Sequence, residues 1–390
     1  MKIAVIAPTY LPARRANTVQ VMKMCQAFLS LDHEVHLAVP TERADPALDA
    51  YALVPSWDEL QKHYGLHCSF PIKWLPSWPE LRRYDFGWRS VRWARRLQAD
   101  LIYTRLPQAA ALASLMGLPT ILEIHDMPTG RAGPWLLRRF LGSPGARRMV
   151  VITQALMEDL KRDFLFRSRP ELLIVAPDGV DLIRYQDLPE PSTAREQLSL
   201  PNPANRWPGR FTAGYTGHLY PGRGAKLLLE LAQLEPEINF LLVGGEPVDV
   251  ERLRSQAIDR GLTNVILTGF IPNADLPQYQ AACDALLMPY QTRVAASSGG
   301  NIAPYLSPMK MFEYLACGRA ILSSNLPVLR EILSDKNAIL LPPDDPHVWV
   351  QALQDLKNDP ARLRRLAAQA RQDSQNYSWE ARAARILHGL

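Results

Sequence analysis

The sequence predicts an α/β protein of two Rossmann-like parallel-sheet domains facing across a cleft. Three observations carry that expectation. Short β-branched runs alternate with amphipathic helical stretches along nearly the whole chain, the pattern of parallel strands joined by crossover helices. The alternation breaks once, at a proline-rich stretch, and then restarts. At 390 residues with 47% hydrophobic and 21% charged, the chain has ample core for two domains, and disorder is excluded.

The first strand is expected over residues 2–7, followed by a helix over 18–31 and a second strand over 34–39. Val19, Met22, Cys25, Gln26 and Leu29 fall at three- to four-residue spacing and give that helix its mostly apolar stripe. Asn17 stands where an N-cap belongs, with Gln20 as its capping-box partner. Further strands are expected over 101–104, 120–124, 149–152 and 172–176. The stretch 187–208 carries Pro189, Pro191, Pro201, Pro203 and Pro208 and reads as a linker. Beyond it, strands are expected over 211–216, 239–243, 265–268, 285–289, 320–323 and 339–341. The division that follows is a first domain over 1–186, a linker over 187–209 and a second domain over 210–374. A last helix within 375–390 is expected to pack back on the first domain.

No apolar run approaches the twenty residues that a membrane span needs, and the opening Met1–Pro8 stretch is too short for a signal peptide. Cys25, Cys68, Cys283 and Cys317 are scattered, with no zinc spacing, as expected of reduced thiols in a cytosol. A net charge of +5 mildly favours an anionic partner.

Two stretches of the second half have the makings of an anion site. In the first, a glycine-containing loop leads through Ser307 and Pro308 into a helix beginning Met309-Lys310, with Gly318 as its stop. Free N–H groups at such a start attract phosphate, and Lys310 adds a full charge. Glu313 stands where a carboxylate can accept two ribose hydroxyls. In the second, Gly214-Tyr215-Thr216-Gly217-His218-Leu219-Tyr220-Pro221-Gly222-Arg223-Gly224-Ala225-Lys226 runs from a strand through a glycine-rich loop into a helix. Glycines let backbone approach a ligand closely, and Arg223 and Lys226 can neutralise a diphosphate. This loop is neither a Walker A nor a G-x-G-x-x-G sequence, which disfavours a dinucleotide dehydrogenase.

With these residues in view, the chain resembles the GT-B glycosyltransferases, in particular glycosyltransferase family 4. The similar segments are Ala7-Pro8-Thr9-Tyr10, Val21-Met22-Lys23-Met24, Glu123-Ile124-His125-Asp126 and Pro177-Asp178-Gly179-Val180-Asp181. They continue with the loop from Gly217 to Gly224, Val243-Gly244-Gly245, Leu267-Thr268-Gly269-Phe270-Ile271, and the stretch from Ser307 to Gly318. The resemblance implies a retaining transferase that uses a nucleotide diphosphate sugar and needs neither cofactor nor metal. The sequence has no D-x-D motif. By resemblance, Glu313 binds the ribose, Ser307, Pro308, Met309 and Lys310 meet the diphosphate, and Arg223 with Lys226 stabilises the leaving phosphate. Gly217 and His218 belong to the same donor loop, the backbone at Ile271 reads the base, and His125 lies against the transferred sugar. Glu123 and Asp126 flank His125, and either can orient it.

Two departures from the family pattern stand out. Tyr305 replaces a first glutamate eight positions before Glu313, which leaves Asn301 or the Gly299-Gly300 backbone to meet the sugar hydroxyls. His218 stands where the family carries the arginine of its phosphate clamp. A sugar-nucleotide epimerase or hydrolase, or an inactive binding protein of the same fold, is therefore the alternative reading.

On the acceptor side, Arg14, Arg15 and Asn17 follow the first strand, the two arginines either offering cations to an anionic acceptor or standing as solvated loop charges. From Trp74 to Arg96, arginines interleave with Trp78, Trp88 and Trp93, seven basic residues from Lys73 onward standing against only Glu80 and Asp85. This composition suits an anionic membrane surface, and nucleic acid less well. The bland alternative is a surface helix with its tryptophans packed inward. The expected activity is sugar transfer to a glycan or lipid-linked acceptor in envelope or exopolysaccharide synthesis, in the cytoplasm against the inner face of the membrane.

Overall fold

Every strand pairing in the two sheets is parallel. The computed structural model describes residues 1–41, 54–164, 169–198, 200, 209–295 and 300–390. They form two units, Met1–Asp178 with Trp379–Leu390, and Gly179–Ser378.

The first unit alternates β1 (Lys2–Ile6), α1 (Ala16–Ser30), β2 (Glu34–Thr41), α2 (Trp57–Tyr64), β3 (Ile72–Pro76), α3 (Tyr84–Arg96) and β4 (Leu101–Thr104). It continues with α4 (Pro107–Leu115), β5 (Thr120–Ile124), α5 (Ala132–Leu141), β6 (Ala146–Val151), α6 (Gln154–Phe164) and β7 (Leu173–Val175). The sheet order is β3-β2-β1-β4-β5-β6-β7. Ile3 pairs with Val35 on one side and Leu101 on the other, so the order reverses at β1. Ligands of open parallel sheets bind beyond the strands' carboxyl ends near such a reversal. His125 follows directly on the carboxyl end of β5.

The second unit contains α7 (Pro191–Leu198), β8 (Thr212–Thr216), α8 (Ala225–Leu234), β9 (Asn239–Val243), α9 (Pro247–Asp259), β10 (Val265–Gly269) and α10 (Leu276–Ala281). Then come β11 (Ala285–Met288), α11 (Met309–Cys317), β12 (Ala320–Ser324), β13 (Ile339–Leu341), α12 (Pro346–Asn358) and α13 (Pro360–Ser374). Its sheet order, β10-β9-β8-β11-β12-β13, reverses between β8 and β11. The loop after β8 and the helix after β11, the two stretches singled out in the sequence, thus flank one switch point. Leu228, Phe240 and Trp349 anchor the core beneath them. The chain then returns to the first unit as α14 (Trp379–Leu387), which packs Trp379, Ala383 and Ile386 inward and lies on α1. No described helix is long and apolar enough to cross a membrane.

The structure departs from the sequence expectations in four places. The division falls at Asp178 and Gly179 rather than after 186, because the Val180 N–H donates to the Tyr377 carbonyl (2.9 Å) and Tyr185 donates to Gln280 (2.9 Å). Within the expected linker, Pro191 opens α7, a position where its missing N–H costs nothing; residues 199 and 201–208 of that linker lie outside the described ones. Helix α1 starts two residues early, with Arg15 rather than Asn17 at its N-cap and no side-chain cap. Strand β3 was not expected, since it is a half-buried edge strand ended by Pro76 and lacks an apolar run.

Candidate functional site

In the second unit, Gly217 leaves β8 with φ +130°, its N–H held by the Val243 carbonyl at 2.8 Å. A Cβ at this position would lie 2.8 Å from the Lys310 Nζ, so the missing side chain is the space that the ammonium occupies. Gly224, the N-cap of α8, has φ +84°, and a Cβ there would meet the Pro289 carbonyl at 2.1 Å. The loop therefore lies against the chain leaving β11 as only glycine allows.

Lys310 is in the first turn of α11, whose N-cap is Pro308 rather than the expected Ser307. Ser307 is buried, Pro308 and Met309 half-buried. The first N–H groups of such a helix lack intrahelical acceptors and favour an anion. The Lys310 Nζ lies 3.7 Å from the centre of the Tyr215 ring and 5.5 Å from that of Tyr290, without a hydrogen-bond partner among the described residues. Burial, reinforced by the Arg223 charge and opposed by Glu313, pushes its pKa well below the ordinary lysine value. Arg223 approaches the Tyr290 hydroxyl at 3.4 Å through Nη1, while its buried Nε is without a partner among the described residues. Both basic groups thus lie against the Tyr290 ring, with no carboxylate ion-paired to either among the described residues, an arrangement that an incoming dianion would complete.

Glu313 lies one turn after Lys310 on the same face of α11. It is buried and accepts 3.1 Å from Gln280 Nε2, which also reaches the Thr216 hydroxyl at 3.2 Å. Tyr185 donates to the Gln280 Oε1 at 2.9 Å, so the carboxylate is held by a chain of fixed amide and phenol groups. Burial, with the Glu313 charge adding to it, raises the Tyr185 phenol well above its ordinary value and keeps it a donor. Gln280 and Tyr185 escaped the sequence reading because nothing local marks a glutamine that acts on a helix distant in sequence.

The other expected donor residues are placed differently. The His218 ring stacks on Tyr220 at 4.6 Å, with Nδ1 3.9 Å from Glu246. Ile271 is half-buried in the loop after β10. Lys226 is not part of the cluster: its side chain is 82% exposed and paired with Glu230 at 3.5 Å. It lines a hollow of about 580 Å³ with Tyr220, Gly222 and Gly224 of the same loop and with Glu230, Arg252 and Arg260. The Asn301 carbonyl oxygen accepts from the Val294 and Ala303 N–H groups and closes its own loop. Tyr305 is half-buried in a short turn, and Gly299 lies outside the described residues.

In the first unit, the His125 Nε2 lies in hydrogen-bond contact with a Glu123 carboxylate oxygen. The two side chains, two apart along an extended segment, share a face. Asp126 is exposed and accepts from the neighbouring Met127 N–H instead. Glu123 is fully buried and also receives Gln20, Tyr103 and Arg382, the last at 2.9 Å. Gln20 is thereby used for the interior rather than for a capping box. Although burial opposes ionisation of Glu123, the Arg382 and His125 groups outweigh it and hold the carboxyl below its ordinary range. Burial, then the Arg105 charge, lowers the His125 pKa against the pull of Glu123 and Asp178, which keeps the imidazole neutral at pH 7. Glu123, His125 and Asp178 bring ligand atoms within 4.8 Å of one another. The Arg382 guanidinium already takes the Glu123 oxygen a cation would need, so this set does not fit a metal. Arg14, Arg15 and Asn17 are exposed at the start of α1.

On α3, Phe86, Ser90, Val91 and Ala94 face inward, while Trp88 is 53% exposed and Trp93 half-buried. The inward packing of Trp88 is thus not found. Arg92 lies over the Trp88 ring at 5.4 Å, and a shallow hollow between α3 and α4 is lined by Trp88, Arg92, Arg95, Arg96 and Met116.

Comparison with known proteins adds two family matches. Residues 18–184 match the model described as Glycosyltransferase Family 4, and residues 210–359 the model described as Glycosyl transferases group 1. A D-inositol 3-phosphate glycosyltransferase of Xylanimonas cellulosilytica is 29% identical over 251 residues, 61% of this chain but only 55% of that protein's length. A GDP-mannose-dependent alpha-(1-6)-phosphatidylinositol monomannoside mannosyltransferase of Mycolicibacterium smegmatis is 25% identical over 81% of this chain and 89% of its own. Among solved structures, Anabaena HepE in complex with UDP superposes with a TM-score of 0.71 at 21% identity, covering 99% of this chain and 98% of that one.

Proposed function

This chain belongs to glycosyltransferase family 4, with the GT-B fold, and we propose that it transfers a sugar from a nucleotide diphosphate sugar to a glycan or lipid-linked acceptor with retention of anomeric configuration. The observation that carries this reading is the buried Lys310 ammonium, unpartnered among the described residues and set beside Arg223 at the start of α11. That pairing supports a diphosphate ligand, and Glu313 one turn on supports a ribose. The UDP in the HepE complex and the GDP-mannose dependence of the mycobacterial relative support a nucleotide diphosphate sugar as donor class.

Breaking the sugar–phosphate bond sends its electron pair to the diphosphate and leaves positive charge on the anomeric carbon. Cations fixed in advance around the growing negative charge lower the barrier without reorganising. In this reading Lys310, Arg223 and the α11 N-terminus do this work with no metal. The acceptor hydroxyl attacks the anomeric carbon on the face from which the diphosphate departs, and its proton passes to the departing phosphate oxygen. His125, as a neutral imidazole, meets a hydroxyl of the transferred sugar.

The basic, tryptophan-bearing face of α3 supports docking of the enzyme on the anionic inner face of a membrane, from the cytoplasm, where a lipid-linked acceptor in envelope or exopolysaccharide synthesis would be met. The test of the activity is release of nucleoside diphosphate from UDP-glucose and GDP-mannose with and without added lipid extract, with the product's anomeric configuration read by NMR. Acceptor-dependent release with retention is expected. Equal release without acceptor would replace transfer by hydrolysis, conversion of the donor to another nucleotide sugar without release would replace it by epimerisation, and a trapped covalent glycosyl-enzyme would overturn the front-face step.

A further inference from the structure

Arg382 comes from the last helix of the chain, yet its guanidinium ends in the interior of the first unit, against a carboxylate at the carboxyl end of β5. Its side chain is 2% exposed and that of Glu123 is fully buried. A buried ion pair of this kind contributes little net stability, because desolvation consumes most of the attraction, so stability alone does not account for it. The rest of the contacts suggest another reason. The Nε of Arg382 donates to the Pro177 carbonyl at 2.8 Å, Nη2 to Glu123 at 2.9 Å, and Nη1 reaches the Met24 sulfur at 3.0 Å and the Tyr103 hydroxyl at 3.4 Å. Arg105 donates 2.9 Å to the Gln20 Oε1, which turns the Gln20 amide nitrogen towards Glu123. Among the described residues three donors, Arg382, Gln20 and Tyr103, thus meet the Glu123 carboxylate, and the remaining group against it is His125 Nε2.

We infer that Arg382 is a positioning residue for His125: by fixing Glu123 as a carboxylate it sets the imidazole with its proton on Nε2 and leaves Nδ1 as the free acceptor. An Nδ1 acceptor meets a sugar through a hydroxyl hydrogen rather than a hydroxyl lone pair, so α14 decides the polarity of the contact that β5 presents. The hydroxyl partner rests on the proposed transferase reading, whereas the tautomer does not. The groups that face the ring are Glu123 on its own strand, Arg105 after β4, Asp178 after β7, and Arg382 acting through Glu123 from α14.

The experiment is a titration of the full chain labelled with nitrogen-15 in its histidine rings, followed by long-range proton–nitrogen NMR. The His125 ring is assigned by its loss in His125→Gln. In the wild type the neutral Nε2–H form is expected at pH 7. In Arg382→Gln, Glu123 keeps its charge without its main partner and draws a proton onto the ring, so the His125 pKa shifts up by about one unit or more. If Glu123 itself takes the proton, its hydroxyl donates to Nε2 and the ring switches to Nδ1–H. Arg382→Lys, which keeps the charge, returns the ring towards the wild-type pattern. A wild-type ring carrying its proton on Nδ1 would overturn the inference even if no variant folds. So would a folded Arg382→Gln protein with an unchanged His125 pattern. None of these readings uses a nucleotide, so failure of the transferase assignment is seen separately.

Discussion

The Lys310 ammonium sits 3.7 Å from the centre of the Tyr215 ring, in the space that Gly217 leaves by lacking a Cβ. The aromatic face partly offsets the lost hydration, but a π face is a weak substitute for an anion. Below the lowered pKa of this lysine the unliganded protein therefore holds a desolvated ammonium without an anion, a partner that the proposed diphosphate would supply. Replacing Lys310 by Met removes that charge with little change in volume, so Lys310→Met is expected to keep or raise the melting temperature while weakening nucleoside diphosphate binding at least tenfold, about 1.5–3 kcal/mol for a charge-assisted contact. Lys226→Ala, altering an exposed lysine paired with Glu230, is expected to leave binding unchanged. Melting curves and calorimetry on the two variants check both statements.

The same lysine predicts a pH signature. Its folded pKa lies well below the ordinary 10.5, so between the two values the unfolded chain binds more protons than the folded one. Stability contributed by this group is therefore absent below the folded pKa and rises with pH through that window as the buried ammonium discharges. A bound diphosphate favours the charged form, so binding above the folded pKa takes up a proton. Calorimetry in two buffers of different ionisation enthalpy reads this uptake directly, and it is expected to vanish in Lys310→Met.

Gly217→Ala places a methyl group 2.8 Å from the Lys310 Nζ on a backbone with φ +130°. Strain of this kind costs about 1–3 kcal/mol. The expected outcome is a lower melting temperature together with weaker diphosphate binding, because the lysine must move from the position proposed to meet the anion. A variant that loses stability but binds with unchanged affinity would separate the glycine from the site.

How legible this site was depends on the range of the contacts. The glycine loop and the Lys310–Glu313 helix could be read because a strand, a loop and a capped helix are local patterns, and both arms lie beside the β8–β11 switch. The α11 N-cap was misplaced by one residue, since Ser307 and Pro308 both suit a helix start and only the backbone decides between them. Lys226 stands on an exposed face of α8 paired with Glu230, which spacing from a glycine loop does not reveal, because it says nothing about which way a helix face turns. Gln280 and Arg382 could not be found at all. Their partners are 33 and 259 residues away, and a buried glutamine or arginine carries no sequence mark of its own. On the first unit, strand β3 hid within a run of arginines and tryptophans that composition alone assigned to the surface.

That surface gives a prediction of its own. Trp88 is 53% exposed beside Arg92, Arg95 and Arg96. Each basic residue near an anionic bilayer contributes about 1 kcal/mol. Flotation with vesicles containing phosphatidylglycerol is expected to carry the protein at low salt, and vesicles of phosphatidylcholine alone are not. The triple variant Trp88→Ala, Arg92→Glu, Arg96→Glu is expected to lose the binding without loss of nucleotide affinity. Flotation equal for both lipids and both proteins would remove the α3 surface as the docking site, and no flotation with either lipid would remove the membrane.

Nucleotide binding tests whether α11 and the loop after β8 hold a nucleoside diphosphate before any acceptor is known. Melting curves and calorimetry with UDP, GDP, ADP and CMP are to be run on the wild type and on Glu313→Ala. Stabilisation by a diphosphate is predicted, about 2.7 kcal/mol at a hundredfold excess over Kd, and it is predicted to be lost in the variant. No stabilisation by any of the four, or stabilisation undiminished in Glu313→Ala, would contradict this placement of the nucleotide.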